Sequence, residues 1–125
     1  MDAESIQDLF QELGPVRVRR MFGGQGIYAG ERMFALESGG AIYLKTDDVN
    51  RPLLEDAGSR PFVYGATGKT AVMSYWSMPE EGIDDPSEAA RWGRLAIDAA
   101  GRSAVAKASK LRAPKRTSAK RKPRG

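Results

Sequence analysis

The chain of 125 residues has room for one compact domain of about 100 residues and a short extension. It contains no cysteine and no histidine, which excludes disulfides, thiolate metal sites and any mechanism that uses an imidazole base. No apolar run approaches the ~20 residues of a membrane-spanning helix, so we expect a cytoplasmic protein.

The net charge of +4 hides an asymmetry between the two ends of the chain. Residues 1–101 hold all 16 acidic residues and 10 of the 20 basic ones, which gives this part a net charge of −6. Residues 102–125 hold the other 10 basic residues and no acid, which gives a net charge of +10. The sequence therefore predicts an acidic domain over residues 1–101, followed by a basic tail over residues 102–125.

The first half of the chain predicts one helix followed by closely spaced strands. Residues 3–13 carry apolar side chains at helical spacing; Asp2 can cap the start of this helix and Gly14-Pro15 ends it. Residues 16–20 alternate apolar and basic side chains, which is typical of a strand with one wet face. Residues 25–45 have the pattern of a three-stranded antiparallel meander with two glycine-containing turns.

The second half predicts a short helix, a hairpin and a long helix. The short helix lies near residues 48–57, with Pro52 in its first turn, and two strands follow at residues 62–64 and 71–76. Asp85-Pro86-Ser87-Glu88 is a strong helix start. The order α-β(3)-α-β(2)-α predicts a two-layer α+β fold, an antiparallel sheet of about five strands with helices packed on it. The strand at residues 16–20 either joins the first of these strands or pairs at the edge.

Three glycines fall within four positions at Gly23-Gly24-Gln25-Gly26. Glycine loses the most backbone freedom on folding, so it persists where φ is positive or where the backbone lies close to another group. The β-like flanks predict a tight turn or a bulged entry into a strand. A phosphate-binding loop is the alternative, but the G-x-G-x-x-G spacing is absent and a strand, not a helix, follows.

Five short blocks stand in a specific order and spacing. They are Arg20-Met21-Phe22-Gly23-Gly24, Gly26-Ile27-Tyr28, Met33-Phe34-Ala35-Leu36, Tyr43-Leu44-Lys45, and Met73-Ser74-Tyr75-Trp76 with Pro79. Together they resemble the N-terminal domain of the TfoX/Sxy family of bacterial competence regulators, over approximately residues 10–100. The resemblance implies a small α+β domain associated with regulation of DNA uptake, without the C-terminal helical domain of longer relatives. The family-motif residues are Arg20, Met21, Phe22, Gly23, Gly24, Gly26, Tyr28, Tyr75 and Trp76.

Gly68-Lys69-Thr70 has the ending of a nucleotide-binding phosphate loop but not its beginning. The motif G-x-x-x-x-G-K-[ST] requires a glycine at the position of Val63 and a helix after the lysine. Residues 71–76 instead alternate like a strand. We interpret the segment as a hairpin turn and expect no nucleotide binding.

The acids Glu80, Glu81, Asp84 and Asp85 raise the possibility of a Mg²⁺ site or a carboxylate pair. A helix start accounts for them better, because Asp85 is a good N-cap and Asp84 lies near the positive end of the helix.

Ser74 is a second candidate for chemistry, as the nucleophile of a Ser–Lys pair. The sequence alone gives no reason to place Lys45 or Lys69 beside it. We assign no catalytic, cofactor-binding or metal-binding residue.

The basic tail is the strongest functional signal of the sequence. Its alanine, serine, proline and like charges cannot bury enough apolar surface to fold, which predicts disorder in its distal part. The last helix ends at Gly101 or continues with weaker patterning to Leu111. A mobile cationic arm neutralises phosphates without reading bases; the alternative is a solubilising tail that contacts its own acidic domain. The predicted nucleic-acid contacts are Lys107, Lys110, Arg112, Lys115, Arg116, Lys120, Arg121, Lys122 and Arg124.

We interpret the protein as a non-enzymatic regulatory or interaction module that needs no cofactor. Its domain would bind a protein partner, and its tail would bind DNA or RNA non-specifically. An alternative is a small enzyme that uses the acidic loop or the cluster of Arg17, Arg19 and Arg20. A third reading is nucleic-acid binding by the sheet itself, which requires exposed aromatic rings beside these arginines. The rings that could share one open face are Tyr28, Tyr43 and Tyr75.

Overall fold

A six-stranded antiparallel sheet with helices on one face forms the fold in the computed structural model. The structure describes residues 1–21, 23–64 and 71–116, and within them it leaves out the side chains of residues 64, 71–73 and 107–116. The helices are α1 (Ala3–Leu9), α2 (Arg51–Asp56) and α3 (Pro86–Arg116), and a 3₁₀ turn spans Glu80–Gly82. The strands are β1 (Arg17–Met21), β2 (Gly24–Ala29), β3 (Arg32–Ser38), β4 (Ala41–Lys45), β5 (Pro61–Tyr64) and β6 (Ala71–Ser77).

The strands lie in the order β1-β2-β3-β4-β6-β5. The predicted α+β class is confirmed, with six strands where about five were expected, because the segment at residues 16–20 forms an edge strand of its own. Strand β6, and not β5, pairs with β4, so the β5–β6 hairpin joins the sheet through its second strand.

The helix starts follow the predicted capping chemistry. The Asp2 carboxylate accepts the backbone N–H of Ser5 at 2.8 Å, and the Asp85 carboxylate accepts those of Ser87 at 3.0 Å and Glu88 at 3.4 Å. Each bond satisfies a donor that the first helical turn leaves without an intrahelical partner. Helix α3 therefore begins at Pro86, where it was expected to begin.

The hydrophobic core lies between the helices and one face of the sheet. Ile27, Ala35 and Leu44 pair across β2, β3 and β4, and each is completely buried. A bulge in the β2–β3 pairing leaves Phe34 as an extra residue between two paired positions, and its ring contacts Phe10 edge-on at 5.3 Å between centroids. The helices contribute Ile6 of α1 and, from α3, two alanines and one large ring to this core: Ala89, Ala96 and Trp92.

Helix α3 runs past Gly101, the position predicted as the boundary of the domain. The backbone stays helical to Arg116, so residues 102–116 are helical where a largely disordered tail was expected. Residues 117–125 lie outside the described residues, and the division at 101 stays a prediction. Within the described residues, no helix is both long and apolar enough to cross a lipid bilayer.

Candidate nucleic-acid interface

The face of the sheet opposite the core carries aromatic and basic side chains. Strand alternation places Arg17, Arg19 and Met21 of β1 on this face, because Val18 between them packs against the core. In β4, alternation with buried Ile42 and Leu44 places Tyr43 and Lys45 on the same face. Tyr75 pairs with Lys45, and Tyr28 pairs with Arg17. We call this surface the open face, defined by Arg17, Arg19, Met21, Gly26, Tyr28, Met33, Leu36, Tyr43, Lys45, Phe62 and Tyr75.

Tyr28 lies against the sheet beneath an arginine. The guanidinium carbon of Arg17 is 5.6 Å from the centroid of the Tyr28 ring, within the range of a cation–π contact. One nitrogen of Arg17 also donates to the backbone oxygen of Gly30 at 2.8 Å, which fixes the side chain in this position. A Cβ at Gly26 would lie 3.1 Å from Cε1 of Tyr28, so the missing side chain lets the ring settle onto the backbone. The ring and the guanidinium therefore form one aromatic and cationic site at the β1–β2 edge of the open face.

Tyr75 forms a second ring site on the open face. The Nζ atom of Lys45 lies 5.3 Å from the centroid of its ring. Burial, with a smaller contribution from the Tyr28 phenol, raises the pKa of Tyr75 to about 12. The phenol is therefore neutral at physiological pH and does not repel an anion.

A pair of aromatic rings extends the open face toward β5. The Tyr43 and Phe62 rings are 4.6 Å apart between centroids, with a tilt of 55° between their planes. Both side chains are half-buried, so each keeps part of its ring accessible. Contacts of this kind hold rings in fixed orientations, which lowers the entropy that a stacked ligand must remove.

The charges of the open face differ in sign from the net charge of residues 1–101. Among the described side chains assigned to this face, three are cationic, namely Arg17, Arg19 and Lys45, and none is acidic. Residues 1–101 as a whole carry a net charge of −6. The acid Glu37 of β3 lies on the opposite face, because it pairs with Ile42, whose side chain packs in the core.

Nucleic-acid binding by the sheet requires aromatic rings beside Arg17, Arg19 and Arg20, and the structure meets this requirement in part. Arg17 and Arg19 lie on the open face beside Tyr28, whereas Arg20 alternates to the other face of β1. Arg20 lines a cavity near the N-terminus together with Gly23, Gly24 and Glu37. The three arginines therefore form no single cluster, and the cluster proposed for an enzyme is not assembled.

Glycine is required in the β1–β2 turn for two different physical reasons at neighbouring positions. Gly23 has φ = +77°, the left-handed conformation that favours glycine. Gly24 does not share this conformation; a Cβ there would lie 2.3 Å from the backbone oxygen of Glu37 in β3. Met21 and Gly24 are paired, so β1 and β2 form the expected hairpin. Phe22 of the family motif lies outside the described residues.

Glu37 is a buried carboxylate beside this turn. It accepts hydrogen bonds from the backbone N–H of Gly40 at 2.8 Å, the Gln25 amide at 2.9 Å and the Met1 amino group at 3.3 Å. Burial alone would raise the pKa of Glu37, but these donors outweigh it and leave the pKa below its ordinary value. All of its donors come from the protein, so Glu37 serves to hold the turn and the N-terminus together.

The acidic loop before α3 has separate partners for its members. Glu81 lies 3.8 Å from Arg91, and Asp85 caps α3. Among the residues that the structure describes, no three acids are grouped closely enough to hold a metal ion.

Gly68-Lys69-Thr70 lies outside the described residues. The chain on either side is described, and β5 pairs with β6 in antiparallel register, with Tyr64 opposite Ala71. A strand therefore follows Thr70, where a phosphate loop needs a helix.

Ser74 does have a lysine beside it, a contact that the sequence gave no reason to expect. The Nζ of Lys45 donates to Oγ of Ser74 at 2.6 Å. A Ser–Lys nucleophile requires a neutral amine as base, and the negative ring face of Tyr75 stabilises the charged ammonium instead. Ser74 itself is exposed. Lys45 of this pair contributes to the positive charge of the open face.

Arg102 belongs to the folded domain, although the charge pattern placed it in the tail. Its guanidinium contacts both carboxylate oxygens of Asp47, through Nε and, at 3.1 Å, through Nη2. The hydrogen bond from Arg102 lowers the pKa of Asp47 to about 2. Asp47 also accepts the backbone N–H groups of Val49 and Asn50, so the pair ties α3 to the turn before α2.

The predicted tail contacts divide between two parts of the chain. Lys107, Lys110, Arg112, Lys115 and Arg116 lie on the helical backbone of α3, whose side chains are not described at these positions. Lys120, Arg121, Lys122 and Arg124 lie outside the described residues. Ala104, Val105 and Ala106 are exposed, so α3 has left the core before the first of these residues.

Sequence reasoning missed Lys45 and Phe62 as members of the open face. Strand alternation alone carried the signal for both: Lys45 lies two residues after Tyr43 in β4, and Phe62 alternates with its neighbours in β5. What was missing was the pairing of β4 with β6, which brings Lys45 to Tyr75 and Tyr43 near Phe62.

The search of curated proteins gave no match. The family model of the TfoX N-terminal domain matches residues 8–100, which include the whole sheet and the part of α3 that packs on it. The matched range agrees with the resemblance seen in the five sequence blocks, and the chain belongs to the TfoX N-terminal domain family.

Proposed function

We propose that the protein is a non-enzymatic regulatory module of the cytoplasm, linked to DNA uptake, that holds nucleic acid through its basic C-terminal segment. Family membership supports the regulatory role. The observation that carries the nucleic-acid role is the charge of the segment after Ala106, which holds nine basic residues and no acid. Helix α3 leads into this segment and leaves the core before it begins.

The physical basis is phosphate neutralisation with counterion release. Each phosphate contacted on duplex DNA lowers the slope of log affinity against log salt by about 0.9. If about half of the basic side chains bind at once, the slope is near −5 and depends little on base sequence. At physiological salt the electrostatic reach is about 8 Å, so the acidic domain does not cancel this attraction when the segment extends beyond that distance.

The test compares the full chain with a chain ending at Ala106. The cut lies after Arg102 because removing the Asp47–Arg102 pair would disturb the fold. Fluorescence anisotropy with a labelled 20-base-pair duplex is measured across a salt series, and circular dichroism with thermal melting confirms that both chains are folded. We expect the shorter chain to lose duplex affinity and the salt slope to fall toward zero. Equal duplex binding by two folded chains would contradict the role of this segment.

We also propose a protein partner that contacts the α2 region. Val49 and Leu53 are four residues apart and leave 62% and 47% of their surface exposed. Apolar side chains this close together and this exposed are typical of contact sites. Nuclease-treated pull-downs from the native host should lose one captured protein with Leu53→Asp and keep it with Val105→Asp, since Val105 is equally exposed on α3. Identical capture by both variants would argue against an α2 contact.

A further inference from the structure

We infer that the open face of the sheet is a binding site for single-stranded nucleic acid, separate from the basic C-terminal segment. Two properties of the face carry this inference: aromatic rings in contact with cations on the sheet, and no acid among the described side chains that define the face. A single strand presents the matching chemistry, because it offers unpaired base faces together with phosphates.

The first step concerns the rings. Tyr28 lies on β2 and Tyr75 on β6, three strand spacings apart, which is about 14 Å. Tyr43 lies on β4 between these two strands, two residues before Lys45, which pairs with Tyr75. Bases stack on aromatic side chains of sheets at about 1–3 kcal/mol per base. The open face therefore has room for two or three successive bases.

The second step concerns the phosphates. Arg17 and Arg19 are exposed at the β1 edge, beside the ring of Tyr28. One donor of Arg17 is used by the Gly30 oxygen, and a guanidinium has five N–H donors, so the others remain to meet a phosphate. Lys45 adds a positive charge next to Tyr75 without giving up its contact with Ser74.

The third step concerns the choice of occupant. A duplex hides its base faces and cannot stack them on the rings of a sheet. An acidic protein segment would match the cations but not the aromatic rings. Base stacking and phosphate neutralisation do not distinguish ribose from deoxyribose, so oligo-dT and oligo-U of equal length should bind about equally well.

The experiment uses the full chain and fluorescein-labelled dT15, U15 and a 20-base-pair duplex. Tyr28→Leu removes the ring and keeps an apolar side chain; Tyr28→Phe keeps the ring. Arg17→Ser with Arg19→Ser removes two charges from the face. Arg51→Ser removes one charge from α2, where Arg51 pairs with Asp48 at the surface, and serves as the matched control.

We expect Tyr28→Leu to weaken dT15 and U15 about tenfold and to leave duplex affinity unchanged. Tyr28→Phe and Arg51→Ser should bind like the wild type. The double arginine variant should also reduce the steepness of the single-strand salt slope by about 1.4, at about 0.7 for each phosphate lost. Thermal melts check that every variant is folded.

Amide NMR spectra of the full chain with dT15 give an independent readout. Shifts should concentrate on β1, β2, β4 and β6. Unchanged dT15 affinity in folded Tyr28→Leu, or shifts confined to the C-terminal segment, would overturn the inference. This outcome is distinct from a failure of the proposed function, which loss of duplex binding after Ala106 tests separately.

Discussion

Substitution of the glycines in the β1–β2 turn should reveal two different physical costs at adjacent positions. Gly23 has a positive φ and open space around it, so alanine there suffers only from the backbone conformation. That conformation costs an L-residue about 1–2 kcal/mol, and the stiffer unfolded chain returns about 0.4–1 kcal/mol. We expect Gly23→Ala to lower the free energy of unfolding by about 1 kcal/mol.

Gly24 should cost more for a steric reason. Its added methyl would meet the Glu37 backbone oxygen at 2.3 Å, where ordinary C···O contacts are about 3.3 Å or longer. The obstacle is backbone, so β2 and β3 must move apart by about 1 Å and weaken their shared hydrogen bonds. Overpacking of this kind costs about 1–3 kcal/mol, and we expect Gly24→Ala at the upper end.

Gly26 completes the series as a mild case. Its methyl would meet Tyr28 at 3.1 Å and the flexible ends of Met33 and Met21 at 3.2 and 3.3 Å. These side chains can move by a few tenths of an ångström, so Gly26→Ala should cost less than 1 kcal/mol. Because the Tyr28 ring must shift, the same variant should weaken dT15 binding.

Urea unfolding followed by tryptophan fluorescence measures the three costs, with the m-value checked for constancy. Asparagine is the control that separates the two mechanisms, because it tolerates the left-handed conformation but not a steric clash. Gly23→Asn should be more stable than Gly23→Ala, whereas Gly24→Asn should be no better than Gly24→Ala. Rescue by asparagine at Gly24, or a larger alanine cost at Gly23 than at Gly24, would refute this reasoning.

Three further results are expected. Asp47 has a pKa of about 2 in the folded chain against an ordinary value of 3.8. Its stabilising effect is therefore present above pH 4 and is lost as the pH falls toward 2. The melting temperatures of the wild type and Asp47→Asn should differ at pH 6 and converge at pH 2. Glu37→Ala leaves the Gly40 N–H without its acceptor and should lower the free energy of unfolding by about 2 kcal/mol in urea. Calorimetry of the wild type with Mg·ATP should show no saturable heat of binding, and Lys69→Ala should give the same trace.

Local chemistry made much of the fold predictable. The caps at Asp2 and Asp85 depend on residues two or three positions away, so the sequence carries their full cause. The same holds for the alternation in β1 and β4, which assigns Arg17 and Tyr43 to one face. Glycine in the β1–β2 turn was also predicted, although positive φ explains only Gly23.

Long-range pairing made the rest unpredictable. Ser74 meets Lys45 across 29 positions, and Arg102 meets Asp47 across 55 positions. Both contacts depend on which strands lie side by side and on where α3 crosses the sheet, and alternation or spacing carries no information about either. The need for glycine at 24 has the same origin, since its cause is the Glu37 oxygen on the next strand.

The two proposed nucleic-acid contacts should respond differently to salt, which makes them separable in one protein. The C-terminal segment attracts phosphates by charge alone, so its affinity for duplex DNA should fall with a slope near −5. The open face relies mainly on stacking, with two arginines that contribute a slope of only about −1.4 on single strands. Raising the salt tenfold should therefore remove about 10⁵ in duplex affinity and only about 25-fold of the single-strand affinity that the face supplies. An anisotropy series measures the duplex slope on the full chain and the dT15 slope on the chain ending at Ala106, because the basic segment of the full chain also attracts the phosphates of dT15. If the shorter, folded chain has no measurable affinity for dT15, the rings of the open face contribute nothing and the basic segment accounts for all binding.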